Sequence, residues 1–491
     1  MIVLNTAEAA DELLVKRSRN YSSRASPYVA HEILGDGQRV VLMPYNKEAK
    51  VCRKTMQNAV GAGPSKRLRV YQDLESTVTL KDLLDHGDQS LNISIPRSYS
   101  GDLHVPEDHC LFTYTSKATS LVLSLTYGQR VHKLKNLSVV HDIYDVVESF
   151  TQAAQPGEYL ADTFPLLRQL PDWLAPWRIK ARKLREREWQ VWSALFDGLK
   201  AAWKAGTRPE SLVSSYLTAR AAKGHEEAPG RGLTEDGWMR DKLMAYTAAT
   251  VLEAGSDTTS TTLEMFVLFM LAHPQVLHKA REELDRVVGP DRMPTFEDEP
   301  KLPYVVACIK ETLRRRPVVP LGVPHMASED DEYKGLFIPK GSTVIGNIWA
   351  IHMDPERYTK PEIFNPERFY EPGKPTRFGS GNGQDSDRDI YTFGWGRRFC
   401  VGYSFAESAL FILCARIIWA FDFYPNKDEA GKPVIPDVMD EGCFSNGLVC
   451  APHPFNVGWK PRDARRAELI ERAYAAAQEE WLARGMDPDE R

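Results

Sequence analysis

The sequence predicts a mainly α-helical domain with a small β region. A helical pattern of unusual length runs from near Thr234 to about Leu271. Helical stretches broken by prolines flank it on both sides, and strand-like runs are few and short. Apolar residues at i, i+3 and i+4 carry the first signal, and short runs bounded by turn residues carry the second.

Taken in order, a first helix is expected from Thr6 to about Ser18, with Thr6 as its N-cap. A short apolar run, Val40 to Met43, precedes a basic helix near Lys50 to Val60. Residues 140 to 220 read as helices interrupted at Pro165, Pro171 and Pro176. The long pattern then begins near Thr234 and stops before Pro274; at 1.5 Å per residue it spans more than about 50 Å, so it crosses the core. Its middle, Ala254-Gly255-Ser256-Asp257-Thr258-Thr259, holds residues of poor to middling helix propensity. Hydroxyl side chains that compete for backbone carbonyls bend helices, so a local distortion at a functional site is expected there. Helices from Pro274 to Val287 and from Pro303 to Arg316 follow. Leu336 to Gly341 and Thr343 to Ile345 read as two strands joined by a turn. A Pro/Gly/Asp-rich irregular stretch, Asp354 to about Asp389, leads to a last core helix, Val401 to Phe421. The charged tail from Pro461 to Arg491 is helix-prone and expected on the surface, beside a main domain of residues 1 to 460.

Length alone, 491 residues, would suggest several domains, yet no linker divides the chain. Net charge is −5, from 62 basic and 67 acidic residues, which gives no reason to expect nucleic acid as a partner. The 7 cysteines are odd in number and form no Cys-x-x-Cys pair, which excludes a disulfide framework and a zinc ribbon and suits a reducing compartment. Met1 to Ala10 shows no signal-peptide pattern. No apolar run approaches the roughly 18 residues of a spanning helix, and the longest, Ala409 to Phe421, contains Arg416. The chain is expected to be soluble or peripheral.

The segment Phe393-Gly394-Trp395-Gly396-Arg397-Arg398-Phe399-Cys400-Val401-Gly402 carries the chemistry. A cysteine at the start of a helix feels the positive end of the macrodipole, which favours thiolate. Free N–H groups at a helix start bond its sulfur. Gly396 and Gly402 permit tight turns and close approach of a large flat ligand to the backbone. Arg398 offers a planar fork suited to a carboxylate. A lone cysteine is more often a buried structural residue; the fixed pattern F-x-x-G-x-R-x-C-x-G favours a metal-binding loop.

This segment resembles the haem-binding loop of the cytochrome P450 family. The family's other landmarks follow in the same order. Glu311-Thr312-Leu313-Arg314 matches E-x-x-R, and Pro366-Glu367-Arg368-Phe369 matches P-E-R-F. The resemblance implies a buried triad of Glu311, Arg314 and Arg368. It implies haem b with Cys400 as axial thiolate ligand, set among Phe393, Gly396 and Gly402. Arg398, His325 and Arg53 would hold the propionates. Arg53 belongs to the family's W-x-x-x-R, but the tryptophan position is Ala49. Asp257 and Thr258 match the acid–alcohol pair that delivers protons during oxygen activation. Lys47, Lys50, Arg53 and Lys54 would dock an NADPH-dependent reductase.

By the same resemblance, Tyr246, Ala249, Thr250, Val318, Val319, Leu321 and Phe444 to Leu448 face a hydrophobic substrate. By the resemblance, the family's N-terminal anchor, hinge, first helix and first strand would lie ahead of Met1, so either the sequence is truncated or the protein is expected to work without them. Segments such as Asn20 to Arg24 are most similar to filamentous-fungal members of secondary metabolism. The implied activity is insertion of one atom of O2 into a hydrophobic small molecule. Its rivals are oxidative coupling or rearrangement without oxygen transfer, and an inactive haem-binding remnant.

Overall fold

A computed structural model describes residues 1–86, 90–93, 113–131, 138–155, 157–207, 210–374, 378, 388–428 and 430–486. Parts of the irregular stretch (375–377, 379–387) and the last residues of the tail (487–491) lie outside the described residues.

Helices dominate. Strand β1 (Ile2–Leu4) opens the chain and α1 (Ala7–Ala10) follows, capped by Thr6, whose side chain accepts the Ala9 N–H at 3.3 Å. The expected first helix then widens into a π-helical turn, Asp11–Lys16, before α2 (Ser18–Tyr21), β2 (Ser23–Arg24) and a second π turn, Tyr28–Leu34. The basic helix α3 spans Lys47–Val60, starting three residues earlier than expected because the Asn46 side chain caps it. Next come α4 (Ala62–His86), β3 (Ser90–Ile93), α5 (Thr113–Tyr127), α6 (Ser138–Ala153), α7 (Leu160–Thr163), α8 (Pro176–Lys204) and α9 (Leu212–Ala221).

The long helix α10 runs Asp241–Ala272. It starts later than expected because Thr234 closes a turn instead: its hydroxyl accepts the Trp238 N–H at 2.9 Å, and Leu233 bridges Met239. The predicted mid-helix distortion is not there. Hydroxyls of Ser256, Thr258 and Ser260 bond the carbonyls four residues back, and the helix stays continuous. Helices α11 (Pro274–Val287) and α12 (Pro303–Arg315) follow as expected.

Next come β4 (His325–Met326), β5 (Asp331–Tyr333), β6 (Leu336–Ile338), β7 (Thr343–Gly346) and α13 (Ile348–His352). The chain ends with α14 (Tyr403–Ala420), β8 (Phe421–Pro425), β9 (Phe455–Pro461) and α15 (Ala464–Ala483).

Strands β6 and β7 do not pair with each other. The hairpin lies one step earlier: Lys334 and Gly335 both take positive φ, 52° and 80°, and join β5 to β6. Strand β7 instead pairs with β1 in parallel and with β4 antiparallel, giving a four-stranded sheet of order β1-β7-β4-β2. A second sheet has order β3-β9-β8.

The C-terminal halves of α10 and α14 share the main core with α11 and α12; Phe266, Phe269, Ile309, Phe411, Ile417 and Trp419 are fully buried there. Helix α14 is the one described helix apolar and long enough to span a membrane, yet it lies mostly inside this core. Its one arginine, Arg416, is buried but satisfied: it bonds Asp73, Ser76, Thr77 and the Pro294 carbonyl. Helix α15, expected on the surface, packs one face on α4 and buries Ile470 and Trp481. Its apolar residues form one stripe, and a stripe must be covered.

Candidate functional site

Cys400 sits on a loop, not in the helix that follows. Its N–H donates to the Phe393 carbonyl at 2.9 Å, which closes residues 393–400 around a 3-10 turn, Gly396–Arg398. Helix α14 begins at Tyr403 rather than Val401, with Gly402 as its N-cap. Phe393, Phe399 and Tyr403 pack ring against ring beside the loop, at 5.0 to 6.4 Å. Burial raises the Cys400 thiol above its ordinary range, while the Gly402 N–H and the Arg53 charge pull it down. A bound metal ion would remove that proton outright. The Cys400 side chain is nevertheless accessible, and so is Ala254, the only exposed residue of α10.

The two glycines of the pattern differ in their reasons. Gly396 has φ +51°, and a Cβ there would lie 2.3 Å from the Leu14 carbonyl oxygen. It is glycine because the first π turn passes over it, not because a ligand does. Gly402 has open space where a Cβ would be.

Beside this loop the fold gathers cations. Arg398 donates to the carbonyls of Ser22 (2.8 Å) and Met43 (2.5 Å), and Arg53 donates to the carbonyl of Phe399. Arg24 on β2 lies opposite His325 on β4 and donates to the Val323 carbonyl at 2.5 Å. Burial lowers all three guanidinium pKa values, and repulsion from neighbouring arginines adds to it at Arg24 and at Arg398, which falls to about 10. Among the described residues none of the three is paired to a carboxylate, and Arg24 Nε is buried without a partner. Like charges held together at such cost fit an anion with more than one carboxylate. With a soft sulfur donor beside them, the donor set fits haem and its two propionates.

His325 is buried, and its Nδ1 bonds the Tyr21 carbonyl at 2.6 Å. Burial and Arg24 hold it neutral. In that tautomer Nε2 accepts, so His325 donates to a propionate only when doubly protonated. Arg24 was not read as a site residue from sequence. A single arginine in a short polar strand carries no pattern; only the cross-strand pairing with His325 reveals it.

The triad forms as expected. Arg314 grips Glu311 with two bonds, at 2.7 and 2.8 Å, both residues fully buried, and Arg368 adds a third at 3.3 Å. Arg368 also ties down the carbonyls of Thr359, Lys360 and Ile363. Asn365 donates its N–H to the same carboxylate at 2.8 Å.

Asp257 and Thr258 stand on a different element, α10. The Thr258 hydroxyl donates to the Ala254 carbonyl at 2.6 Å, so its lone pairs are what it offers outward. Asp257 is buried. Of the expected substrate-facing residues, Thr250, Val319, Leu321 and Ser445 to Leu448 are at least partly accessible. Tyr246, Ala249, Val318 and Phe444 are not. Tyr246 stacks on Trp189, and Phe444 lies under the Arg316 guanidinium at 3.8 Å, so both are packing residues. Ala49, at the expected tryptophan position, is buried in the core. On α3 the side chains of Lys47, Lys50 and Lys54 point outward, while Arg53 turns in.

Comparison with known proteins agrees with this geometry. Residues 1–442 match the sequence family described as cytochrome P450. Cytochrome P450 monooxygenase 231 of Postia placenta is 51% identical across all of this chain and 87% of its own length. Cytochrome P450 monooxygenase verL of Clonostachys rogersoniana is 34% identical over 98% of this chain and 82% of its own. A zebrafish cytochrome P450 solved with abiraterone superposes with a TM-score of 0.69 at 26% identity, covering 94% of this chain and 93% of that one.

Proposed function

The chain belongs to the cytochrome P450 family as a monooxygenase, and from that premise we propose that it inserts one atom of O2 into a hydrophobic small molecule of fungal secondary metabolism, with electrons from an NADPH-dependent reductase. The observation that carries the reading is the acid-free cluster of Arg24, Arg53 and Arg398 beside the accessible Cys400. In this reading Cys400 binds the haem iron, the three arginines hold the propionates, joined by His325 once it is doubly protonated, and the Gly402 N–H tunes the sulfur. Thiolate-bound haem supplies the cleavage of the O–O bond. Asp257 relays protons, and the Thr258 oxygen orients the water that passes them on.

The exposed Lys47, Lys50 and Lys54, with Arg397 on the Cys400 loop, support an acidic reductase surface as the docking partner. Exposed Leu160, Phe164, Leu166, Trp173, Leu174 and Ile179 support a peripheral contact with the endoplasmic reticulum membrane.

The test is the carbon monoxide difference spectrum of the dithionite-reduced chain. A strongly red-shifted Soret band is expected from the wild type and not from Cys400→Ala. A thiolate-type band surviving in that variant would overturn the assignment. Product mass separates monooxygenation from coupling, because only the former adds one oxygen.

A further inference from the structure

One turn before Asp257, α10 carries a second acid. Thr250, Glu253, Ala254, Asp257 and Thr258 follow the i, i+3, i+4, i+7, i+8 spacing of a single helix face. Arg39 Nη1 holds the Glu253 carboxylate at 2.9 and 3.1 Å, and Nη2 of the same guanidinium reaches Glu188 on α8 at 2.8 Å. The Arg39 and Glu188 side chains are 2% and 1% exposed. One buried cation therefore serves two carboxylates. Fully ionised, the three groups would bury a net negative charge, and one acid is driven to keep a proton instead.

That acid is Glu253. Burial raises its pKa to about 7, with Glu188 adding to the rise and Arg39 opposing it. The phenols and the histidine around it stay silent near neutrality. Tyr127 of α5 faces Glu253, Tyr246 of α10 faces Glu188, and burial holds both phenols neutral. His31, which faces Arg39, is pushed down to about 4 by burial. Asp36, farther out, faces Tyr246 and is paired to Lys242 at 2.6 Å. Arg39 Nε, Glu188 Oε1, the Tyr127 hydroxyl and His31 Nδ1 are buried with no hydrogen-bond partner among the described residues. Buried polar atoms of this kind are ordinarily satisfied by ordered water, and water bridging such groups is a route for protons.

We propose that Glu253 is the proton reservoir that resupplies Asp257, with Arg39 and Glu188 as its positioning residues. This rests on the proton-delivery reading of Asp257 and Thr258. Helical side chains four apart lie about 5–6 Å apart at Cβ, a gap that one water spans. The Glu253 carboxylic acid gives its proton through that water to the Asp257 carboxylate. Glu253 is left as a carboxylate paired to Arg39, Asp257 becomes the acid, and solvent returns a proton to Glu253. Only O–H bonds form and break, and no electrons move.

Infrared difference titration of the purified holoenzyme reads the reservoir directly. A protonated-carboxyl band should titrate near pH 7, vanish in Glu253→Gln, and move to lower pH in Glu188→Gln, where the repelling charge is gone. The second readout is hydrogen peroxide released per NADPH oxidised with a reductase, which rises when protons arrive late. In the wild type the ratio should climb as pH passes 7. Glu253→Gln should hold it high and flat, and Glu253→Asp should restore the pH dependence.

A band that titrates in the ordinary carboxylate range overturns the proposal. So does a Glu253→Gln variant with wild-type pH dependence while Asp257→Asn releases peroxide freely; the Asp257 reading then stands alone. If Asp257→Asn behaves as wild type, the Asp257 reading itself fails, and the reservoir with it.

Discussion

Glu311 shows how much depends on one buried charge. Its carboxylate takes Arg314, Arg368 and the Asn365 N–H. Glu311→Gln leaves the fully buried Arg314 guanidinium without its counter-charge, so a loss of about 3–5 kcal/mol is expected. A urea titration followed by circular dichroism measures it; a loss under 1 kcal/mol would mean that the site admits water. The glycines of the Cys400 loop make a contrasting pair. Gly396→Ala forces a residue into positive φ and drives Cβ against the Leu14 carbonyl, so both stability and haem content should drop. Gly402→Ala meets open space and has an ordinary φ of −90°, so thermal stability should hold while haem content falls. Equal behaviour of the two variants would show that their reasons are not distinct. The pattern around Cys400 was legible because its fixed residues fall within ten consecutive positions. The demand on Gly396 was not: it yields to a chain segment some 380 residues away in sequence, and nothing local announces that. Arg24 was invisible for the same reason.

At the scale of elements, the sequence spoke clearly wherever periodicity and punctuation agreed. Helices α11 and α12 start at prolines that supply a pre-set φ at the first turn, and both were placed within a residue. Helix α10 was overextended at its start because the turn at Thr234 has helical composition but a bridge between Leu233 and Met239. Strand partners were not legible because pairing is non-local: β7 chose β1, more than three hundred residues earlier. Helix α15 was underrated because its charge hides an apolar stripe. Trp481 is fully buried, tilted against Tyr71 at 5.7 Å, with Arg130 over its ring at 4.4 Å. Trp481→Ala should therefore cost about 3–5 kcal/mol, as core aromatic truncations do. Limited proteolysis should then release α15 first. A variant as resistant as the wild type would show that the tail contributes nothing to α4.

For the molecule as a whole, the buried titratable groups fix how stability responds to acid. Burial lowers His31 to about 4 and His352 to about 3, against 6.5 in an unfolded chain. As pH falls below 6.5 the unfolded chain takes up these protons and the folded one does not. Their stabilisation is complete above 6.5 and drains away toward pH 4 and 3, at about 1.4 kcal/mol per pH unit for each histidine. Glu253 acts in the opposite sense. Its folded pKa, about 7, lies above the unfolded 4.5, so its contribution is complete below 4.5 and is lost as pH rises through 7. His325 is set apart, because a bound propionate would reverse its direction. Between pH 6.5 and 4.5 these two histidines oppose this one glutamate, and the three together contribute a loss of about one proton's worth, roughly 1.4 kcal/mol per unit of acidification. Urea midpoints should thus be highest near pH 6.5–7 and fall steadily to pH 5. His31→Gln should flatten that fall by one proton's worth, since His31 Nδ1 makes no hydrogen bond that the variant must replace. Glu253→Gln should steepen it by removing the opposing group. Midpoints that decline equally in all three proteins would place the acid sensitivity elsewhere than in the cluster around Arg39.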